Sequence, residues 1–218
     1  MRPDATTINI LKALEMLVYG AKAGDRLVFQ YSGHGSQVPD TSGDESDKRD
    51  EILCPVDLDW KENVIRDDDL NKIFAALDDG VHLEVFLDSC HSGTALRALE
   101  GPCPAGDDDY RKSRFLPMPG KMAPPPGAIT HCRAIRPEKA QVLWAACKSN
   151  QYAADARLNG KYGGAFTAVL CDLVRSSQGA IQRANLLKSL RSTLKKKRFD
   201  QVPQLETSAK LKKSIFLG

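Results

Sequence analysis

The sequence predicts an α/β domain with a mainly parallel central sheet flanked by helices on both faces. Two observations carry this. Apolar strands alternate with stretches of helical period, and the strands are short and rich in Val, Leu and Phe, as strands buried on both faces are. The 218 residues, 42% hydrophobic and 27% charged, suffice for one large domain and exclude a chain disordered throughout. No run approaches the roughly 18–20 consecutive apolar residues of a membrane span. The start, MRPDATTINI, lacks a basic stretch leading into an apolar one. The expectation is a single domain over 1–218, unsecreted, cytoplasmic and away from membranes. A net charge of +3, from 31 basic and 28 acidic residues, gives no footprint for nucleic acid.

Taken in order, Ile8, Leu11, Leu14 and Val18 recur at helical spacing from Thr7 to about Ala21, with Thr6 or Thr7 as cap and Gly24-Asp25 as stop. Leu27 to Tyr31 is a short apolar strand that runs into the glycine-flanked Ser32-Gly33-His34-Gly35. Ser36 to Lys48 is polar and turn-rich and reads as a surface excursion. Glu51 to Asp57 reads as a hairpin arm, and Asp67 to Leu77 as a helix with acids at its positive end. Leu83 to Leu87 is a second strand, ending in Asp88-Ser89-Cys90-His91-Ser92-Gly93. Residues 97–137 are rich in proline, glycine and charge and read as a long loop inserted in the domain, because a strand, Val142 to Ala146, follows. Helices at about 164–175 and 184–197 and an apolar segment at 214–217 complete the chain.

Parallel sheets gather reacting groups at the carboxyl ends of their strands, where both His34 and Cys90 fall. A thiol becomes a strong nucleophile once a base takes its proton, and imidazole suits that task near neutral pH. His34 is the expected base and Cys90 the expected nucleophile. The N–H groups of Gly35 and Cys90 are expected to receive a developing oxyanion, an arrangement suited to acyl transfer. His91 competes for the base role, but neighbours in an extended segment point to opposite sides, which favours His34. The other cysteines are scattered without a C-x-x-C pair, which argues against zinc and for a reducing compartment.

The strings YSGHG (31–35), DEILCPVD (50–57), IRDDDL (65–70), LDSCHSG (87–93), WAACKSNQYAAD (144–155), GGAFT (163–167) and VPQLE (202–206) resemble those of the metacaspases, the type I and bacterial members most closely. The resemblance implies a caspase-like three-layer sandwich, a His34/Cys90 dyad and endopeptidase cleavage of protein or peptide substrates after Arg or Lys. It places Ser32 and Asp88 in the first substrate pocket. Asp88 lies two residues before Cys90, hence on the same side of an extended segment, where its carboxylate could meet a cation; the competing role is a cap on the helix that follows. The resemblance also implies calcium activation through acids matching Asp50, Asp67 and Asp68. The family's fourth acid falls at Arg97, whose charge would repel the ion, and Asp67 to Asp69 could equally stabilise a helix start. The family's opening strand and helix have no counterpart in Met1 to Thr7. The catalytic domain is therefore expected to be amino-terminally incomplete, with an exposed sheet edge that invites self-association. Arg97, Arg111, Lys112, Arg114, Lys121 and Arg133 of the 97–137 loop offer sites for self-cleavage, as in related metacaspases; an ordinary solvated loop is the equal alternative. The run Lys195 to Arg198 suits a helix carboxyl end. A non-catalytic caspase-fold interaction or scaffold module is the alternative to a peptidase.

Overall fold

A computed structural model describes residues 3–40, 43, 48–90, 111–120, 141–148, 151–158 and 160–216. His91 and Arg97 lie outside the described residues, as does most of the 97–137 stretch.

The chain opens with helix α1 (Thr7–Val18), capped by the Thr6 hydroxyl, which accepts from the Asn9 N–H. It leads into β1 (Arg26–Ser32), whose register runs parallel to β5 (His82–Asp88) from Arg26↔His82 to Ser32↔Asp88. β5 in turn pairs in parallel with β7 (Gln141–Ala145), and β10 (Gln204–Glu206) adds an antiparallel strand on the far side. Among the described residues, β1 is therefore an edge of this four-stranded sheet.

Alternation along β5 and β7 divides the core. Leu83, Val85, Leu87 and Leu143 face Leu14 of α1 and Leu70 and Phe74 of α2 (Asp67–Ala75). Phe86, Val142 and Trp144 face the opposite layer, where α3 (Ala165–Ser176) and α4 (Arg183–Lys196) pack. The result is three layers, helices on each face of a mostly parallel sheet, as the alternation of elements implied.

Two smaller sheets frame the carboxyl end of the main one. β2 (Gly35–Pro39), β3 (Arg49–Leu53) and β4 (Ile65–Arg66) form an antiparallel set. The stretch expected as a surface excursion thus begins as a strand, with Ser36, Gln37 and Val38 buried. The third sheet joins β6 (Lys112–Ser113), β8 (Ala154–Leu158) and β9 (Lys161–Gly164). β6 lies inside the stretch expected to be loop. A short α5 (Ala209–Lys213) precedes Phe216, whose ring packs edge-on to Phe86 and Trp144. No described helix is long and apolar enough to cross a membrane.

Candidate active site

β1 and β5 are paired in parallel, so their carboxyl-terminal loops emerge side by side, and the Gly33 N–H donates to the Asp88 carbonyl. The two sequence motifs therefore share one end of the sheet. Tyr31 fixes the first loop from below: its hydroxyl donates to the His34 carbonyl at 2.7 Å and also meets the Cys54 backbone. Burial lowers the His34 pKa from its usual 6.5; the guanidinium of Arg114 lowers it further and the carboxylate of Asp155 opposes. The ring is thus kept as a neutral, proton-accepting imidazole near pH 7.

Cys90 is fully buried. Its sulfur accepts from the Ala153 N–H at 2.7 Å and lies 3.3 Å from the Ala153 carbonyl. The thiol is parked on that backbone, and among the described residues no hydrogen bond joins it to His34. Cys54 is the contrasting thiol: burial pushes it up to about 12, leaving it a protonated core group.

The loop residue Arg114 occupies the space between these motifs and is only 5% exposed. Its Nη1 donates to Ser32 Oγ at 2.7 Å and to the Asp88 carbonyl at 2.6 Å. Nε and Nη2 donate to Asp155 Oδ1 at 3.0 and 2.6 Å. Asp88, wholly buried, divides its carboxylate. Oδ2 accepts from the Thr167 N–H at 3.0 Å and the Thr167 hydroxyl at 2.6 Å, which caps α3 from outside that helix. Oδ1 has no hydrogen bond and stands 3.6 Å from Arg114 Nη1. Burial raises the Asp88 pKa, with Arg114 and Thr167 pulling the other way. Oδ2 thus caps α3, which is distant in sequence, rather than the helix expected to follow Asp88, and Oδ1 faces the guanidinium of Arg114.

The backbone around Arg114 is held as firmly as its side chain. Its N–H donates to the Ala153 carbonyl at 3.1 Å, and Lys112 and Ser113 pair with Asp155 and Ala154 of β8. On the other side the Gly35 N–H, expected to receive an oxyanion, donates to the Arg114 carbonyl at 2.9 Å. The Leu116 N–H returns to the Gly35 carbonyl at 3.0 Å, and Ser36 Oγ donates to the Leu116 carbonyl. Residues 112–116 run between β8 and Gly35: Lys112 and Ser113 pair with β8, the chain bends at Arg114, and Phe115 bridges to Gly35. Among the described residues the Cys90 N–H, the other expected oxyanion donor, makes no hydrogen bond.

Sequence reasoning missed Ala153, Asp155, Gly164 and Thr167 as parts of this site, and it left Arg114 among several loop cations. The Asn159-Gly160 pair was the local signal for the β8–β9 hairpin that carries Asp155 and Gly164.

The acids matched to calcium are arranged otherwise. Asp50 is buried and paired with Arg66 Nε at 3.0 Å. Burial, with Asp40 adding to it, raises the Asp50 carboxyl to about 6. Asp67 is buried at the start of α2, Asp68 is exposed, and Asp69 accepts from the Arg66 N–H at 2.9 Å. Among the described residues no three His, Cys, Asp or Glu side chains are grouped to hold a metal ion.

A family model described as metacaspase, peptidase C14 domain, matches residues 1–99. Metacaspase-1 of Cryptococcus neoformans is 34% identical over 95% of this chain and 51% of its own length. Metacaspase-1A of Aspergillus terreus is 32% identical over 93% of this chain and 56% of its own. The chain spans about half the length of these curated relatives. The crystal structure of a Geobacter sulfurreducens protein superposes with a TM-score of 0.65 at 25% identity, covering 97% of this chain and 78% of that one.

Proposed function

Because the chain belongs to the metacaspase family, with its caspase-like fold, we propose that it is a cysteine endopeptidase that cleaves after arginine or lysine, and that its first substrate is its own Arg114–Phe115 bond. One observation carries this: Arg114 is held side chain and backbone at once, its guanidinium on Ser32, Asp88 and Asp155 while its carbonyl accepts from the Gly35 N–H. A loop arginine that merely needed a counter-ion would not also align its carbonyl with an N–H placed beside the base.

In the reaction, the thiol leaves Ala153 and His34 takes its proton. The sulfur attacks the Arg114 carbonyl carbon, and the resulting oxyanion is received by the Gly35 N–H. The C–N bond to Phe115 then breaks, and the new amine leaves with the proton carried by His34. Water, deprotonated by His34, hydrolyses the thioester and restores the thiol. A peptide in trans would enter the same place once residues 112–116 vacate it, adding its backbone to β8 and its cation to the pocket. The alternative, a scaffold module, has no need of this alignment.

The test is incubation of the purified chain followed by mass spectrometry. Fragments ending at Arg114 and starting at Phe115 are expected, and Cys90→Ala should leave the chain intact. Cleavage elsewhere only, or cleavage that survives Cys90→Ala, would remove the proposal.

The pH profile gives a second check. Because folding lowers the His34 pKa below 6.5, the base is already neutral above that pH. The acid limb of kcat/KM should therefore lie below pH 6.5. The stability sign agrees: the unfolded chain binds the His34 proton more readily, so this residue's contribution is complete above 6.5 and falls away as the pH drops below it. An acid limb above 6.5 would exclude His34 as the base in this environment.

A further inference from the structure

Resting on that reading, we propose that Asp155 is the residue that makes this pocket select arginine over lysine. The argument lies in how the donors of Arg114 are divided. The Nη1 group, at one tip of the guanidinium, takes Ser32 Oγ and the Asp88 carbonyl and faces Asp88 Oδ1. A lysine ammonium, a compact charge with three donors, could satisfy those same acceptors. The Nε and Nη2 edge is different: it belongs to arginine alone, and Asp155 Oδ1 accepts from both of its nitrogens. Asp155 therefore reads the side of the guanidinium that an ammonium does not possess, whereas Asp88 offers its charge to either cation.

The position of Asp155 is rigid enough to discriminate. It sits in the middle strand of its sheet, paired with Lys112 on one side and Gly164 on the other. Its side chain remains 21% exposed, so it accepts the short contacts to Arg114 without the full desolvation that Asp88 undergoes. The same residue fixes the incoming backbone through its register with Lys112 and the cation through its carboxylate, so selectivity and alignment share one anchor.

Two measurements test this, the first independent of catalysis. In the Cys90→Ala chain, which keeps its bonds intact, urea unfolding is followed for Arg114→Lys, Asp155→Asn and the pair. Arg114→Lys should lower the folding equilibrium constant roughly tenfold or more beside Asp155, but by less than about threefold beside the Asp155→Asn substitution. Equal effects in both backgrounds would overturn the proposal. The second uses peptides with Arg or Lys before the scissile bond. Asp155→Asn should lower kcat/KM on the Arg peptide roughly 10- to 100-fold and leave the Lys peptide within about threefold. An equal loss on both peptides, the mark of a disturbed pocket, or no loss on either, would overturn it. A parent chain that cleaves neither peptide would sink the peptidase reading, while the unfolding cycle would still decide the role of Asp155.

Discussion

Gly164→Ala is expected to abolish cleavage at Arg114 and to destabilise the fold by about 2–3 kcal/mol, the upper range for a methyl forced into a filled space. The cause is space. Gly164 is the N-cap of α3 with a φ of −63°, which any residue adopts. A Cβ there would stand 2.1 Å from Asp88 Oδ2, 2.7 Å from its Cγ and 2.8 Å from the Arg114 Cζ. The carboxylate cannot retreat while its Oδ2 is bonded to Thr167, so either α3 withdraws or the cation is expelled. Gly163→Ala is the matched control, since a Cβ on the neighbouring glycine meets nothing within 4 Å. Urea unfolding and fragment analysis of the two variants side by side check this. Full cleavage in Gly164→Ala would mean that the pocket has room the geometry denies.

Asp88→Ala should be more costly, about 3–5 kcal/mol, the range for removing one partner of a buried ion pair. It strips α3 of its cap and takes away the buried one of the two carboxylates that face the 5% exposed Arg114, leaving it the part-exposed Asp155. Adding Arg114→Ala should recover part of this, because the buried cation that keeps only Asp155 as its counter-charge goes with it. What remains should be close to the roughly 1 kcal/mol of a lost helix cap. Asp88→Asn separates the two roles: an amide oxygen can still accept from Thr167, so α3 holds while the attraction to a cation falls. A double-mutant cycle in urea, with cleavage measured in parallel, checks both halves. If the cost of the double variant equals the sum of the costs of Asp88→Ala and Arg114→Ala, the coupling between Asp88 and Arg114 is absent.

The architecture was legible where local pattern decided it. The apolar runs before Ser32 and Asp88 and the helical periods read at 7 to about 21, 67–77, about 164–175 and 184–197 correspond to observed elements within a few residues. Their alternation was enough to imply a parallel sheet and the meeting of the two loops. β8 and β9 were missed because Ala154, Ala156, Gly163 and Gly164 carry little apolar bulk, although Ala154 and Ala156 alternate as a strand's buried face should. β10 is three residues long and owes its existence to β7. Within the site, Ser32, His34, Gly35, Asp88 and Cys90 could be singled out because each lies in a short motif. The partner for Asp88 and Ser32 could not, since nothing in the neighbourhood of Arg114 says that its side chain crosses to a hydroxyl 82 positions away. Likewise Arg66, one residue before the acids matched to calcium, turns back on Asp50, a choice made by burial in β3 rather than by spacing.

The buried pair of Glu84 and Arg183 takes on a new meaning beside the Arg114–Phe115 bond. Arg183 Nη2 meets Glu84 Oε2 at 2.6 Å, Trp144 Nε1 donates to Glu84 Oε1 at 2.7 Å, and Arg183 Nη1 reaches the Ser214 hydroxyl. Glu84 lies before the cut and the other three after it, as β5 lies before and β7 after. Severing the bond therefore makes a heterodimer of two halves, joined through a continuous sheet and riveted by this ion pair. Its integrity would then follow mass action, falling on dilution in a way that the uncut chain does not.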